Sequence, residues 1–433
     1  MIHMQWSAAA ILLLLSTTMV LADEAELSLD RAATRKPATI RIATFNVSLA
    51  GQKPGEMLAR LQGADDAQAK AVAEIIQRVQ PDVLFLNELD FDERGAILNA
   101  FVDHYLAKPH GVSTAEKDGD KLSAIKYEHR YIAPVNTGIA TKFDLDRDGV
   151  RGAEAGTSAY ARDALGYGQY PGQYGMAILS RFPIDESHVR TFQKLRWRDM
   201  PNSKLPTQKD DSPWYEAAAL DELPLSSKSH WDVPIRVGSR TIHLLASHPT
   251  PPVFDGPEDR NGRRNHDEIR LWADYLTPGD AKYIVDDRGQ RGGLGENDSF
   301  VIVGDLNSDP EDGSGELRPI RLLLGHASVN ATFIPRSAGA IAAAERQGGA
   351  NGEHRGKAES DTGDFPDEKG PGNLRLDYVL PSRDLAVLSG GVYWPCADDA
   401  RYALVGAGHP VVSSDHRLVW LDIEAPVDSK PSP

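Results

Sequence analysis

Cysteine is nearly absent from this chain of 433 residues, because Cys396 is the only one and no internal disulfide can form. Beyond the first residues the chain also lacks the run of about 20 apolar residues that a membrane-spanning helix needs. Positive charge is in deficit, with 47 Lys and Arg against 63 Asp and Glu and a net charge of −16. These deficits exclude a disulfide scaffold and an integral membrane segment in the mature chain. They also disfavour non-specific binding to long nucleic acid, which requires a basic surface.

The N-terminus has the composition of a secretory leader. Residues 7–15 are small or apolar, and the small residues Val20 and Ala22 precede a potential cleavage point. We therefore predict a signal peptide over residues 1–22. It indicates an exported protein of the periplasm or the extracellular space.

Strand and helix patterns alternate along the rest of the chain. Residues 39–45 and 83–86 are predicted strands, and residues 67–80 between them have the apolar period of a helix. This alternation is typical of layered α/β folds. We expect one domain over residues 39–423, a flexible C-terminal tail over residues 424–433, and a monomer.

Two long polar stretches interrupt this pattern, at residues 111–172 and 335–373. The first contains Asp144, Asp146 and Asp148 before a glycine, which is the spacing of a calcium loop, although Ala155 stands where such a loop ends in glutamate. Either a structural Ca²⁺ or an ordinary acidic turn explains it. The second stretch contains polar residues that either contact a substrate or belong to a solvated loop, namely Asn351, His354, Asp361 and Thr362.

Polar side chains stand at the ends of the apolar strands. The clearest case is the apolar run 299–303, which leads through Gly304 to Asp305 and Asn307 on one face of an extended segment. Taken alone, these residues are ordinary turn residues. The complete set is Asn46, Glu88, His248, Asp305, Asn307, Asp377, Asp415 and His416. Ligands gather at strand ends in layered α/β proteins, so we expect these side chains to converge on one cleft.

In these motifs the sequence resembles the endonuclease/exonuclease/phosphatase superfamily, which includes DNase I-like nucleases, AP endonucleases, neutral sphingomyelinases and inositol phosphatases. The matching segments follow the family's order and are Thr44-Phe45-Asn46, Asn87-Glu88, residues 174–181, Ser247-His248, Gly304-Asp305-Leu306-Asn307, residues 376–380 and Ser414-Asp415-His416. The resemblance implies a four-layer α/β/β/α sandwich of the DNase I type, here with large loop insertions. It also implies a divalent metal at the shared edge of the two sheets.

The resemblance further implies a role for each matched residue. Asn46, Glu88 and Asp415 are expected to hold the catalytic metal, which hard oxygen ligands would favour as Mg²⁺ or Mn²⁺, or as Ca²⁺. Asp305 is expected to activate the attacking water and Asn307 to hold the phosphate. The remaining expected catalytic residues are His416, which Asp377 orients, and His248.

These roles predict an exported, metal-dependent phosphoesterase that hydrolyses phosphomonoesters or phosphodiesters by in-line attack of an activated water. The expected partner is a small phosphorylated substrate. Two alternatives remain open, an extracellular nuclease of the DNase I type and a non-catalytic binding protein that keeps the fold. The negative charge disfavours the first, and the intact set of site residues argues against the second.

Overall fold

Eleven strands and eight α-helices make up the part of the chain that the computed structural model describes, residues 39–111, 122–315, 317–407 and 410–425. The predicted signal peptide and most of the predicted C-terminal tail lie outside these residues. The strands are β1 Thr39–Leu49, β2 Val83–Leu89, β3 His129–Tyr131, β4 Met176–Ser180, β5 Arg190–Thr191, β6 His230–Val237, β7 Arg240–Ser247, β8 Ser299–Asp305, β9 Asp377–Pro381, β10 Val387–Val392 and β11 Val419–Glu424. The helices are α1 Glu56–Gln62, α2 Ala67–Val79, α3 Ala96–Phe101, α4 Ser158–Arg162, α5 Ala217–Leu220, α6 Arg260–Tyr275, α7 Ile320–Leu324 and α8 Ala338–Gln347.

The first sheet has six strands in the order β10-β11-β1-β2-β4-β3. Its central strands β1 and β2 are parallel, whereas β11 pairs antiparallel with β1. The pairing of Thr39 with Glu424 joins the two ends of the described chain in one ladder. Helix α2 packs beside this sheet because its apolar residues recur at helical spacing and are buried, and its N-terminus is capped by Asp66, which accepts from the Ala69 N–H at 2.9 Å.

The second sheet has five strands in the order β5-β6-β7-β8-β9, with β7 and β8 parallel. Side chains alternate along β8, as the pleat of a strand requires. Val301 and Val303 pack in the core that both sheets share, while Phe300 and Ile302 pack in a second core with Trp272 of α6. The order is therefore helix, sheet, sheet, helix, which confirms the predicted four-layer fold.

The parallel strands decide where polar residues meet. The carboxyl end of each strand in the pairs β1–β2 and β7–β8 lies at the same edge as that of its partner. The two sheets pack directly, and the rings of Phe85 in β2 and Trp231 in β6 lie 6.4 Å apart, edge to face. Residues that follow these four strands consequently come together between the sheets. Among the described helices, none is both long and apolar enough to cross a membrane.

Candidate active site

Four strands deliver polar side chains to the edge where the two sheets meet. Asn46 belongs to β1, Glu88 to β2 and Asp305 to β8, and His248 follows β7 directly. The Asn46 amide donates to Asp305 Oδ2 at 3.1 Å, and His248 Nε2 lies 3.4 Å from the same oxygen. His248 Nε2 also lies 3.9 Å from Glu88 Oε1. Side chains from both sheets are therefore in contact at this edge.

The backbone at these strand ends is unusual. Glu88 has a φ of 57° and Asn307 a φ of 51°, in the left-handed region that residues with a side chain rarely adopt. Such conformations concentrate at functional sites. Gly304 has a φ of 147°, and a Cβ at this position would lie 1.9 Å from the Ser247 carbonyl oxygen. Glycine here lets β8 approach β7 closely enough to bring its last residue beside His248.

Asp305 is held by two donors at the bottom of the cleft. Its side chain is 1% exposed, and besides the Asn46 bond its Oδ1 accepts from the Asn307 N–H at 2.9 Å. The Asn307 side-chain amide donates to the Pro249 carbonyl at 3.1 Å, which ties the turn after β8 to the turn after β7. The carboxylate is therefore fixed in direction and faces the cleft.

A buried row of three side chains crosses the site. His416 Nδ1 donates to Asp377 Oδ2 at 2.8 Å, and His416 Nε2 lies 3.5 Å from Asp305 Oδ2. Ligand atoms of all three residues lie within 4.8 Å of one another. The imidazole thus stands between two carboxylates. Asp377 accepts a hydrogen bond from its Nδ1, and Asp305 lies near its Nε2.

The second polar insertion contributes directly to this row. The Thr362 hydroxyl donates to Asp377 Oδ2 at 2.7 Å and accepts from the N–H groups of Leu376 and Asp377. The Phe365 ring lies 5.6 Å from the His416 ring, edge to face. Gly363 forms a β-bridge with His416. Part of the predicted loop 335–373 is therefore packed against His416.

The turn that carries Asp415 and His416 is fastened on both sides. The Ser414 hydroxyl donates to the Asn46 carbonyl at 2.6 Å, which anchors the turn to β1. The buried Arg417 pairs with Asp364 at 2.6 Å, and the Asp364 N–H donates to the Asp415 carbonyl at 2.8 Å. The turn of Asp415, whose side chain is partly exposed, is thereby held against β1 at Asn46.

Burial and neighbouring charges shift the pKa values of His416, Asp305 and His248. Burial opposes protonation of His416, but Asp377 and Asp305 outweigh it and hold the pKa of His416 well above its usual value. Burial also raises the pKa of Asp305, an effect that His416 opposes and Asp377 reinforces. Burial, with the charges of Lys228 and His416, holds the pKa of His248 well below its usual value. His416 is therefore a cation and His248 a neutral imidazole near neutral pH.

The donor set fits a divalent cation. Burial and then the charge of Asp415 raise the pKa of Glu88, because both disfavour its ionised carboxylate. A cation between them would reverse this repulsion. Carboxylate and amide oxygens of Glu88, Asp415 and Asn46 are the hard ligands that Mg²⁺, Mn²⁺ and Ca²⁺ prefer. The Glu88 side chain is 26% exposed, so an ion from solvent can reach it.

The sequence does not reveal the place of Lys228 or the partner of Thr362 in this site. Lys228 precedes β6 and is 7% exposed, and its charge affects both Glu88 and His248. A lysine just before a strand is ordinary, so no pattern distinguishes it. Thr362 lies in the polar stretch considered above, but nothing there points to Asp377 as its partner.

The predicted calcium loop lies apart from this row and has a different third carboxylate. Asp144, Asp146 and Asp163 bring ligand oxygens within 4.8 Å of one another, and Asp144 Oδ1 is buried without a hydrogen-bond partner among the described residues. Asp148 instead pairs with Arg162 at 2.7 Å, and the same guanidinium contacts Asp146 at 2.5 Å. Calcium binding by this loop stays a prediction.

Comparison with known proteins gives the family of this site. A family model described as the Endonuclease/Exonuclease/phosphatase family matches residues 43–416, and no curated protein matches significantly. Among solved structures, an endonuclease/exonuclease/phosphatase from Beutenbergia cavernae DSM 12333 is 18% identical, with 90% of this chain and 72% of that chain covered and a TM-score of 0.45. Sphingomyelinase C from Streptomyces griseocarneus is 14% identical, with 89% and 99% covered and a TM-score of 0.41.

A family protein from Leptotrichia buccalis C-1013-b is also 14% identical, with 89% of this chain and 99% of that chain covered and a TM-score of 0.41. These solved structures share little sequence identity with the chain, whereas the family model matches most of its sequence. It extends from β1, which carries Asn46, to His416, and so includes every strand end that meets at the cleft. The chain belongs to the endonuclease/exonuclease/phosphatase family.

Proposed function

We propose that this chain is a divalent-metal-dependent phosphoesterase that hydrolyses small phosphomonoesters or phosphodiesters by in-line attack of a water molecule. The observation that carries the proposal is the buried row in which His416 stands between Asp377, at 2.8 Å, and Asp305, at 3.5 Å. A cationic imidazole beside a fixed carboxylate suits a reaction that needs a base for water and a donor for a phosphoryl oxygen.

Each residue of the row has a task in this mechanism. Asp305, held by Asn46 and the Asn307 N–H, accepts the proton of the attacking water. His416 donates through Nε2 to an oxygen of the phosphoryl group, and Asp377 keeps its ring in place through Nδ1. As the water oxygen bonds to phosphorus, the bond from phosphorus to the ester oxygen breaks, and the alcohol leaves with a proton taken up from solvent. The neutral His248 offers a further hydrogen bond next to Asp305.

Glu88, Asp415 and Asn46 would hold the divalent ion. When bound, such an ion supplies positive charge that neutralises the oxygens of the phosphoryl group as charge develops on them. Such a cation would also offset the negative charge that Glu88 and Asp415 bring together. We propose Mg²⁺ or Mn²⁺ as this ion.

The small size of the substrate is supported by charge. The chain has a net charge of −16, which repels a long polyanion and weakens non-specific binding to nucleic acid. A small phosphoester presents one phosphoryl group and does not need an extended basic surface. We therefore prefer a small substrate to DNA.

A panel of substrates tests the proposal. Purified protein would be incubated with bis-p-nitrophenyl phosphate, p-nitrophenyl phosphate and plasmid DNA, each with Mg²⁺, Mn²⁺, Ca²⁺ or EDTA. The proposal expects metal-dependent hydrolysis of a nitrophenyl ester that EDTA abolishes and that His416→Ala lowers about 10²–10⁴-fold. Cleavage of plasmid DNA with no ester hydrolysis would favour a nuclease, and inactivity on all three would favour a binding protein.

We further propose that the protein is exported to the periplasm or the extracellular space. The support is the apolar leader over residues 7–15 followed by Val20 and Ala22. Mass spectrometry of the protein recovered outside the cytoplasm should find the mature N-terminus close to residue 23. A full-length chain retained in the cytoplasm would contradict export.

A further inference from the structure

Lys228 is a buried lysine without a counter-ion in contact. Its exposed fraction is 7%, and among the described residues no carboxylate oxygen lies within 4 Å of its ammonium and no hydrogen bond engages it. Lysine is rarely buried unless it is paired, because removal of an ammonium from water is costly. The Lys228 ammonium has no partner among the described residues but is not sealed from solvent, so an anion that enters from solvent can reach it.

The backbone fixes Lys228 at the edge where the site residues meet. In the hairpin of β6 and β7, His230 pairs with Ser247, so the chain just before β6 runs beside the chain just after β7. The buried Glu268 confirms this, since one carboxylate oxygen accepts from the Ser227 N–H and the other from the Thr250 N–H, each at 2.6 Å. Lys228 is therefore held next to the turn that carries His248.

The carboxylates nearest to Lys228 are committed to other groups. Glu268 accepts from the N–H and hydroxyl of Ser227 and from Thr250. Asp305 accepts from Asn46 and the Asn307 N–H. Glu88 is the residue that best fits a divalent cation, which would satisfy its charge. An anion that enters the cleft can therefore pair with the ammonium without displacing a protein partner.

We infer that the Lys228 ammonium binds a non-bridging oxygen of the substrate's phosphoryl group. The inference rests on the proposed function and adds a second cationic side chain to it. Lysine suits this task because its ammonium is a compact charge that forms strong hydrogen bonds with phosphate oxygens.

The test measures anion binding directly. Isothermal titration calorimetry would determine the affinity of inorganic phosphate for the Mn²⁺-loaded wild type and for Lys228→Met, Lys228→Arg and Lys282→Met. Lys282 is the matched control, because it is an exposed lysine in the turn Asp280–Tyr283 after the far end of α6. Separate Mn²⁺ titrations and thermal melts would check metal affinity and folding in each variant.

We expect phosphate to bind Lys228→Met about 10- to 100-fold more weakly than wild type, the loss of one charge-assisted hydrogen bond. Lys228→Arg should keep part of this affinity, and Lys282→Met should match wild type. Mn²⁺ affinity should not fall in Lys228→Met, since the substitution removes a positive charge from beside Glu88. Lys228→Gln would replace the methionine variant if that variant failed to fold.

Equal phosphate affinity in Lys228→Met and wild type would overturn the role of Lys228. A reduced Mn²⁺ affinity with unchanged phosphate affinity would overturn it as well, because the lysine would then act on the metal residues alone. A wild type that neither binds phosphate nor hydrolyses nitrophenyl phosphoesters would overturn the proposed function instead. The two failures are thus distinguishable.

Discussion

Replacement of Thr362 by valine removes one buried hydroxyl and keeps the shape of the side chain. That hydroxyl donates to Asp377 Oδ2, the same oxygen that accepts from His416 Nδ1, and it accepts from the N–H groups of Leu376 and Asp377. Asp377 Oδ1 has no hydrogen-bond partner among the described residues. Thr362 and His416 are therefore the side chains that orient this carboxylate.

The size of the effect follows from these bonds. A hydrogen bond to a charged group contributes about 1.5–3 kcal/mol and each of the two main-chain bonds about 1 kcal/mol, so the unfolding free energy should fall by about 3.5–5 kcal/mol. A domain in the middle or upper part of the usual range of about 5–15 kcal/mol stays folded after this loss. Misplacement of a catalytic group by about 1 Å costs about 10²-fold in rate, so kcat should fall about 10- to 100-fold.

The assay is steady-state hydrolysis of bis-p-nitrophenyl phosphate at saturating Mn²⁺, with thermal unfolding measured on the same samples. KM should change much less than kcat, because Thr362 touches Asp377 and not the substrate. Thr362→Ser keeps the hydroxyl and should retain most of the wild-type kcat. If folded Thr362→Val had the wild-type kcat, the orientation of Asp377 would not depend on Thr362 and the reasoning would fail.

Three further predictions concern the pKa of His416, metal binding by Glu88 and calcium binding by the acidic loop. Asp377 and Asp305 hold the pKa of His416 well above its usual value, so the imidazole stays protonated and supports the rate until the pH rises through that raised pKa. Asp377→Asn removes one of these charges and should move the alkaline limb of log(kcat/KM) to lower pH. An alkaline limb at the wild-type pH would contradict this. Glu88→Gln should weaken metal binding, so that excess Mg²⁺ or Mn²⁺ restores part of the activity; an inactive variant with unchanged metal affinity would speak against the role of Glu88. If the loop of Asp144, Asp146 and Asp163 binds calcium, a hundredfold excess of Ca²⁺ over its Kd should stabilise the wild type by about 2.7 kcal/mol and raise its Tm, whereas the Tm of Asp163→Asn should not respond.

Elements with a strong apolar period are predictable from this sequence. The pattern over residues 67–80 predicts a helix, and the structure has α2 at Ala67–Val79. The strands predicted over residues 39–45 and 83–86 are β1, Thr39–Leu49, and β2, Val83–Leu89, each extended at its carboxyl end. These elements are predictable because burial of one face imposes a period on the local sequence.

Other elements leave no such pattern. Helix α8, Ala338–Gln347, lies within the stretch 335–373 that reads as polar and irregular. It buries only small residues, Gly339, Ala340 and Ala343, and is capped by Ser337. A face made of glycine and alanine gives a weak hydrophobic signal. The apolar pattern therefore does not predict this helix, whose stability depends on packing against the rest of the chain.

The sequence by itself determines which residues stand at the ends of which buried strands. Alternation and apolar runs locate Asn46, Glu88 and Asp305, and the order of these motifs along the chain indicates the family that the comparisons show. This information is local, because a strand end is recognisable from the few residues around it.

Only the tertiary structure decides which loop residues complete the site. Thr362 contacts Asp377, which lies 15 positions further along the chain. Glu268 of α6, the helix outside the second sheet, binds the Ser227 N–H and so positions the neighbouring Lys228. Asp163 joins Asp144 and Asp146 in the same way, in place of Asp148. Hydrogen bonds and charges between irregular segments depend on how those segments pack against the sheets, and packing of this kind imposes no period on the sequence.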